Sequence, residues 1–222
     1  DNPRISQDIL IPPEGIGAAK SGQIVVVDVT EPPSRQSLPI GVIAEVLGDH
    51  LDPGLEVEMS IRNYGIPYQW NDEVLAETGE IPDHVTEVKS RVDLRATPLI
   101  TIDGEDARDF DDAVFCEEKP RGGWTLIVAI ADVSHYLQEG TILDDEAYER
   151  ATSVYLVDRV VPMLPEVLSN NACSLRPNEE KYTFSAVFEL DNNAELINQW
   201  FGRTVTYSDA RFSYEEAQYI IE

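Results

Sequence analysis

Residues 99–131 read LITIDGEDARDFDDAVFCEEKPRGGWTLIVAIA, with apolar stretches on either side of an acid-rich segment. Six of the ten residues Asp103–Asp112 are acidic, and this segment is called the acid loop below. Trp124–Ala131 is a nearly continuous apolar run, which predicts a strand buried on both faces. Leu99–Ile102 and Ala113–Cys116 are its expected partners in a sheet. The sequence thus predicts a buried sheet that carries a cluster of carboxylates.

The acid loop predicts carboxylate–metal chemistry. Carboxylates this close repel one another, and a divalent cation relieves that repulsion. Oxygen ligands select Mg²⁺, Mn²⁺ or Ca²⁺, and a pair of such ions suits hydrolysis of a phosphodiester. In an extended backbone Asp109 and Asp111 project to one side and Asp112 to the other. Asp103, at the end of the preceding strand, is expected to join the same cluster.

Two other interpretations of the acid loop stay open at this point. An ordinary solvated acidic turn is one, although apolar Ile102 and Phe110 tether the acids to a core. An EF-hand calcium loop is the other, but the segment lacks the required Gly and Glu spacing. Composition alone names no substrate.

Composition excludes several classes of protein. The 222 residues include 42 acids and 16 bases, a formal net charge of -26, which argues against a simple electrostatic binder of nucleic acid. No apolar run is long enough to span a bilayer, and the first residues do not resemble a signal peptide, so no membrane partner is expected. Cys116 and Cys173 lie far apart without a Cys-x-x-Cys motif, which favours a reducing cytoplasm.

The first part of the chain has the pattern of a small antiparallel barrel or sandwich. Short β-branched runs bounded by Pro, Gly and Asp predict strands, namely Ile5–Ile11, Gly22–Thr30, Ile40–Leu47 and Leu55–Arg62. Asn71 is the expected N-cap of a short helix, Asp72–Thr78. The polar residues 80–98 then predict a domain boundary.

The later part of the chain mixes helical and strand patterns. Thr141 has capping-box spacing before a helix over Asp145–Thr152, and Thr183–Leu190 with Ile197–Tyr207 are a predicted strand pair. Ser213–Glu216 is a second capping box, and it opens a helix that receives no C-cap before the chain stops. From this we expect the chain to be a piece of a longer protein.

Long motifs then give a resemblance. TIDGEDARDFDDAV, WTLIVAIADVSHYL, TSVYL and VPMLPEVLSNNACSL closely resemble the catalytic domain of the ribonuclease II/ribonuclease R (RNB) family, nearer to its ribonuclease R branch. The preceding residues are similar to the cold-shock-type domain found before that catalytic domain. The predicted fold class is therefore α+β. A small antiparallel OB-type, cold-shock-like barrel is expected in residues 1–82, a linker in 83–98, and the N-terminal part of a mixed α/β catalytic domain in 99–222.

The resemblance implies an activity and its residues. Family members are processive exoribonucleases that degrade RNA from the 3′ end to nucleoside 5′-monophosphates with a divalent metal, Mg²⁺ with Mn²⁺ as a substitute. The family's catalytic and metal-binding aspartates correspond to Asp103, Asp109, Asp111 and Asp112, and its RNA-stacking aromatic corresponds to Tyr155. The family's transition-state arginine lies further along than this chain reaches, so the isolated piece is expected to be inactive.

The resemblance also implies partners and leaves alternatives. Single-stranded RNA 3′ ends are the expected partner of a cytoplasmic, monomeric parent protein. A non-catalytic RNA-binding or regulatory relative that keeps the fold is the alternative, and a cation-buffering acidic domain is a third hypothesis. The presence of all four aspartates disfavours the non-catalytic relative. His135 in the motif ADVSHYL is interpreted as structural.

Overall fold

The computed structural model of the chain describes residues 7–50, 52–82 and 84–222. They belong to two compact units. The first consists of the chain up to Tyr68 together with Val154–Val161, and the second of Gln69–Ser153 and Pro162–Glu222. Because the units are defined by packing, the domain boundaries predicted above remain a prediction.

The strands are, in chain order, β1 Gln23–Glu31, β2 Ile40–Asp49, β3 Val92–Asp93, β4 Leu99–Asp103, β5 Asp112–Glu118, β6 Trp124–Ala131, β7 Val154–Tyr155, β8 Val160–Val161, β9 Glu180–Leu190 and β10 Leu196–Ser213. The helices are α1 Leu55–Asn63, α2 Asp72–Gly79, α3 Val133–Tyr136, α4 Ile142–Arg150 and α5 Tyr214–Ile221, with a 3-10 turn at Pro13–Gly15 and a π-helical turn at Leu168–Ala172. None of the helices in the described ranges has the length and apolar character needed to cross a membrane.

The first unit contains an antiparallel pair, β1 with β2, in register from Gln23↔Asp49 to Glu31↔Ile40. Both strands were predicted. The predicted strand Ile5–Ile11 is wrong where it can be checked, because its described part makes only an isolated bridge from Leu10 to Ile40. Its first two residues lie outside the described residues.

The predicted strand Leu55–Arg62 is also wrong, because this segment is helix α1. Its alternation of apolar and polar residues fits a strand, but Gly54, at φ 83°, starts a helix there. Glu58 and Arg62 are then one turn apart and form an ion pair at 2.5 Å, and Arg62 also binds Glu45 of β2 at 2.8 Å. The contact of Glu58 with Arg62 requires the helical conformation, which places residues four apart side by side.

The second unit is built on a six-stranded sheet, in the order β3-β10-β4-β5-β6-β9. Strand β10 pairs antiparallel with β9 along its first part and parallel with β4 along Ser208–Ser213. Because β9 also pairs with β6, five of the strands form a closed circuit of pairings. The predicted pairing of β6 with β5 and the predicted pair β9 with β10 are confirmed. The predicted pairing of β6 with Leu99–Ile102 is wrong, because β4 lies between β10 and β5.

One core joins the sheet, the acid loop and two helices of this unit. Leu99 and Ile127 come from the sheet, Phe110 from the acid loop, Val74 from α2 and Leu143 from α4, and all five are buried. The predicted burial of β6 on both faces is wrong. Its Ile127 side is buried, but Ile130 on the other side is 46% exposed, since no second layer of described residues covers that face.

The predicted N-cap residues of three helices in this unit are found in the structure. Asn71 accepts a hydrogen bond from the backbone N–H of Val74 at the start of α2. Thr141 caps α4, which begins at Ile142, three residues before the predicted start, and Ser213 forms a complete capping box with Glu216 at the start of α5. Local sequence therefore fixes these helix starts.

Candidate active site

The acid loop connects β4 to β5 and is tied to the core at its centre. Phe110 is buried, its N–H donates to Ser174 Oγ at 3.1 Å, and its carbonyl accepts from the N–H of Leu175 at 2.8 Å. The N–H of Ala131 donates to the carbonyl of Asp111 at 2.9 Å. These anchors on both sides of the loop hold Asp109, Asp111 and Asp112 in place.

The four predicted aspartates lie close enough for their charges to interact. Asp103 ends β4 and is half-buried, Asp109 is half-buried within the loop, and Asp111 and Asp112 are exposed at the start of β5. Their charges act on one another, because the pKa values of Asp103 and Asp111 both respond to the other members of the set. The remaining acids of the loop, Glu105 and Asp106, are exposed.

Crowding raises two of the carboxyl pKa values. Burial, followed by the charges of Asp112 and Asp109, raises the pKa of Asp103 above its ordinary 3.8, and the charge of Arg211 opposes this rise. Partial burial of its carboxyl group also raises the pKa of Asp111, although the residue as a whole is exposed. The charges of Asp109, Asp112 and Asp103 add to this rise. Burial and neighbouring negative charge therefore disfavour the ionised forms of Asp103 and Asp111.

The donor set fits a hard divalent cation. Asp103 Oδ2 is buried and has no hydrogen-bond partner among the described residues. A buried carboxylate oxygen without a partner is costly, and an oxygen-binding cation is the kind of group that removes that cost. The four carboxylates would hold it, but no group of three His, Cys, Asp or Glu in the described ranges is already arranged as a metal site.

A second group of charged side chains in the same unit consists of Asp132 and Arg91. Asp132 follows β6 and is buried, and Arg91 donates to its Oδ2 at 2.6 Å. Burial alone would raise the pKa of Asp132, but hydrogen bonds from Arg91 and Ser134 hold it below 3.8. Arg91 also lies over the ring of Tyr182, 4.3 Å from its centroid.

His135 packs against this same cluster. Its ring centroid lies 4.2 Å from that of Tyr182, and burial, followed by the charge of Arg91, lowers its pKa. These contacts give His135 a packing role, in keeping with the structural interpretation of this residue.

Tyr155 lies in the first unit, in a hairpin formed by Val154–Tyr155 and Val160–Val161. It is 69% exposed. Arg159 in the same hairpin donates to Glu58 of α1 at 2.5 Å. An exposed aromatic ring on an anchored hairpin has the properties that stacking on a nucleic acid base requires.

Two arginines that contact these carboxylate sites, Arg211 and Arg91, were not predicted from the sequence. Arg211 donates to the carbonyl of Gly104, which is 107 residues away in the chain, and Arg91 binds Asp132 from 41 residues away. No local spacing connects such residues. Only the pairing of β10 with β4 brings Arg211 to the acid loop.

Two known families match the chain. The RNB domain matches residues 91–222, and the cold shock domain matches residues 1–71. Ribonuclease R of Escherichia coli is 46% identical over 224 aligned residues, which cover 100% of this chain and 28% of that protein. Ribonuclease R of Thermotoga maritima is 40% identical, over 100% of this chain and 32% of that protein. The chain thus spans well under half the length of either relative.

Solved structures with the same fold include RNase R of Mycoplasma genitalium in complex with double-stranded RNA. It matches with a TM-score of 0.89 at 29% identity, over 99% of this chain and 40% of that chain. The same protein in complex with ribose-methylated single-stranded RNA matches at 0.87 and 28% identity, over 99% and 35%. Yeast Ssd1, described as a pseudonuclease, matches at 0.69 and 21% identity over 96% and 28%, which shows the fold alone. The matches confirm the predicted fold class.

Proposed function

The chain belongs to the RNB domain family, and from that membership we propose that the whole protein is a metal-dependent exoribonuclease. It hydrolyses RNA processively from the 3′ end and releases nucleoside 5′-monophosphates. Similarity to Ribonuclease R along the entire chain supports this proposal. The proposed site is the acid loop, with Asp103, Asp109, Asp111 and Asp112 as the catalytic and metal-binding residues.

The observation that carries the proposal is the excess of negative charge in the acid loop. Four carboxylates act on one another there, and one oxygen of Asp103 is buried without a partner among the described residues. Mg²⁺, or Mn²⁺ in its place, supplies stabilisation of the negative charge that develops on phosphate oxygens during hydrolysis. A purely structural loop gains nothing from this crowding, which destabilises the metal-free fold.

The residues of the chain would then divide the work. Asp103, Asp109, Asp111 and Asp112 hold the cation, and the buried ring of Phe110 keeps the loop from shifting. The hydrogen bonds of Phe110 to Ser174 and Leu175 fix the backbone between Asp109 and Asp111. Because catalysis loses efficiency when ligands move by about 1 Å, these anchors contribute to the rate by positioning.

The proposed partner is single-stranded RNA at its 3′ end. The related protein from Mycoplasma genitalium is described in complex with single-stranded and with double-stranded RNA. Both cysteines of this chain are free, which supports a reducing, cytoplasmic location for the whole protein, and we propose that it acts as a monomer.

Degradation of a 5′-labelled single-stranded RNA tests the proposal. The full-length protein with Mg²⁺ is compared with its Asp112→Asn variant and with the 222-residue chain. We expect shortening from the 3′ end by the full-length protein, and a loss of about 100-fold or more in Asp112→Asn, about 2.7 kcal/mol. We expect almost no degradation by the chain alone, because it spans only 28% of the Escherichia coli relative.

Binding without degradation, in Mg²⁺ and in Mn²⁺, would overturn the exoribonuclease proposal. The alternative of a non-catalytic RNA-binding relative would then take its place. An Asp112→Asn variant with full activity would instead retain an enzyme but reject the acid loop as its site.

Tyr155→Ala tests the proposed stacking residue. We expect weaker binding of single-stranded RNA by about 1–3 kcal/mol, because the ring that stacks on a base is removed. The matched control is Tyr155→Phe, which keeps the ring and should bind within a factor of about two. Equal affinities for the Ala variant and the unmodified protein, measured by fluorescence anisotropy, would remove Tyr155 from the RNA site.

A further inference from the structure

Arg211 reaches from β10 to the acid loop. Its Nη2 donates to the carbonyl oxygens of Gly104, at 2.8 Å, and Glu105, at 2.5 Å. The guanidinium carbon lies 5.1 Å from the centroid of the Phe110 ring. One side chain thus contacts both the beginning of the loop and its buried anchor.

Three buried polar atoms beside this contact lack a hydrogen-bond partner among the described residues. They are Thr101 Oγ1, Asp103 Oδ2 and Arg211 Nε. Thr101 and Asp103 are two residues apart on β4 and therefore share a face, and Arg211 is the register partner of Thr101 on β10. The buried atoms without partners are therefore gathered on one face, at the start of the acid loop.

The clustering of these three buried polar atoms is unfavourable for the fold. Each buried polar atom without a partner costs free energy, and native folds retain few of them. Here the cost is borne next to the carboxylates of the proposed metal site. Arg211 also brings a positive charge close to Asp103, the carboxylate whose Oδ2 is among the atoms without partners.

We propose that Arg211 is a positioning residue of the acid loop. By holding the carbonyls of Gly104 and Glu105, it keeps Asp103 at the strand end together with the three later aspartates. This inference rests on the proposed function, since it assigns Arg211 to the same cation site. Arg211 itself, as a cation, is no metal ligand.

A rival role for Arg211 makes the opposite prediction. If Arg211 served only to balance negative charge, it would repel a metal ion, and removing its charge would tighten cation binding. If it positions the loop, removing it scatters the ligands and weakens binding. The sign of the change in affinity therefore separates the two roles.

The test is Mn²⁺ binding to the 222-residue chain, followed by the electron paramagnetic resonance signal of free Mn²⁺ in about 0.15 M KCl, which screens weak surface binding. The site of interest is defined as the binding that is lost in Asp112→Asn. Arg211→Met keeps the apolar stem and removes the donors, and we expect it to weaken Mn²⁺ binding at least tenfold, the usual effect of removing an outer-shell partner.

Two further variants keep the inference falsifiable. Arg203→Met removes the same charge from the same strand, outside the acid loop, and should bind Mn²⁺ within about twofold of the unmodified chain. Arg211→Lys keeps the charge but loses the planar guanidinium whose Nη2 donates to both carbonyls, so it should bind at least threefold more weakly, a weaker form of the same outer-shell effect. Unchanged or tighter binding by Arg211→Met, or full affinity in Arg211→Lys, overturns the positioning role.

Hydrogen exchange separates this inference from the proposed function. In metal-free protein, the amides of residues 104–110 should exchange at least about tenfold faster in Arg211→Met, because the loop opens more readily. Unchanged exchange overturns the positioning role whatever the metal result. If the unmodified chain binds no Mn²⁺ at the acid loop but the exchange rates differ as expected, the metal site fails and the role of Arg211 in ordering the loop stands.

Discussion

Asp103 and Asp132 are two aspartates at the ends of strands in one sheet, and their pKa values are shifted in opposite directions. Asp103 ends β4 and Asp132 follows directly after β6. Asp132 receives a buried arginine and a hydroxyl, which hold its pKa below 3.8. Burial and neighbouring carboxylates raise the pKa of Asp103, and one of its oxygens has no hydrogen-bond partner among the described residues.

The difference separates a structural carboxylate from a candidate functional one. At Asp132 the chain supplies its own counter-charge, so the site is complete without a ligand. At the acid loop the charge of Arg211 lowers the pKa of Asp103, but it does not offset burial and the charges of Asp112 and Asp109, which raise it. Charge left without compensation is what a site for an added cation requires.

The largest expected effect is on stability and comes from breaking the ion pair between Arg91 and Asp132. Arg91→Met leaves Asp132 buried without its buried counter-charge, and we expect a loss of about 3–5 kcal/mol in the free energy of unfolding, measured by urea denaturation. Arg203 is a natural control, since its Nε lies 3.6 Å from Asp132 but its side chain is 51% exposed. Arg203→Met should cost less than about 1 kcal/mol. Similar losses for both variants would refute the claim that burial distinguishes the two arginines.

The next largest effect is expected for the carboxylates of the acid loop. Asp111→Asn should lower RNA degradation by the full-length protein about 100-fold or more, about 2.7 kcal/mol of transition-state stabilisation. The same substitution should raise the melting temperature of the metal-free chain, because it removes one member of a repelling set. A variant that is both inactive and less stable without metal would indicate a structural role for Asp111 instead.

The smallest effect is a difference in pH dependence. The folded pKa of Asp132 is lowered, so its stabilisation is present above pH 3.8 and is lost as the pH falls below that value. The folded pKa values of Asp103 and Asp111 are raised, so in metal-free protein these groups destabilise the fold as the pH rises above 3.8.

The pH effect is checked by urea denaturation from pH 3 to pH 7 in the presence of a chelator. At pH 7, Asp132→Asn should be less stable than the unmodified chain and Asp111→Asn more stable, and both differences should shrink toward acid. If the two variants change stability in the same direction at pH 7, it is wrong that ionised Asp132 stabilises the metal-free fold while ionised Asp111 destabilises it.

The acid loop could be predicted from sequence because its information is local. Six acids lie within ten residues between apolar runs, and Phe110 sits among them as the visible anchor. The N-caps at Asn71 and Ser213 were predicted for the same reason, since a cap is recognised within three residues. Strand β6 was found from its continuous apolar run.

The remaining features could not be predicted because they depend on distant contacts or on a choice between two patterns. Leu55–Arg62 alternates as a strand does, yet its pairings with Glu45 and within α1 stabilise a helix. Arg211 and Arg91 act across 107 and 41 residues of sequence. The Tyr155 hairpin belongs to the first compact unit although it follows the acid loop in the chain.

The acid loop is proposed to bind the divalent cation, and the Asp132 site is not. Crystals of the chain grown with Mn²⁺ and measured for anomalous scattering distinguish the two sites. We expect an anomalous peak beside the carboxylates of Asp103, Asp109, Asp111 and Asp112, and none at Asp132. A peak at Asp132, or none at the acid loop at saturating Mn²⁺, would contradict this proposal.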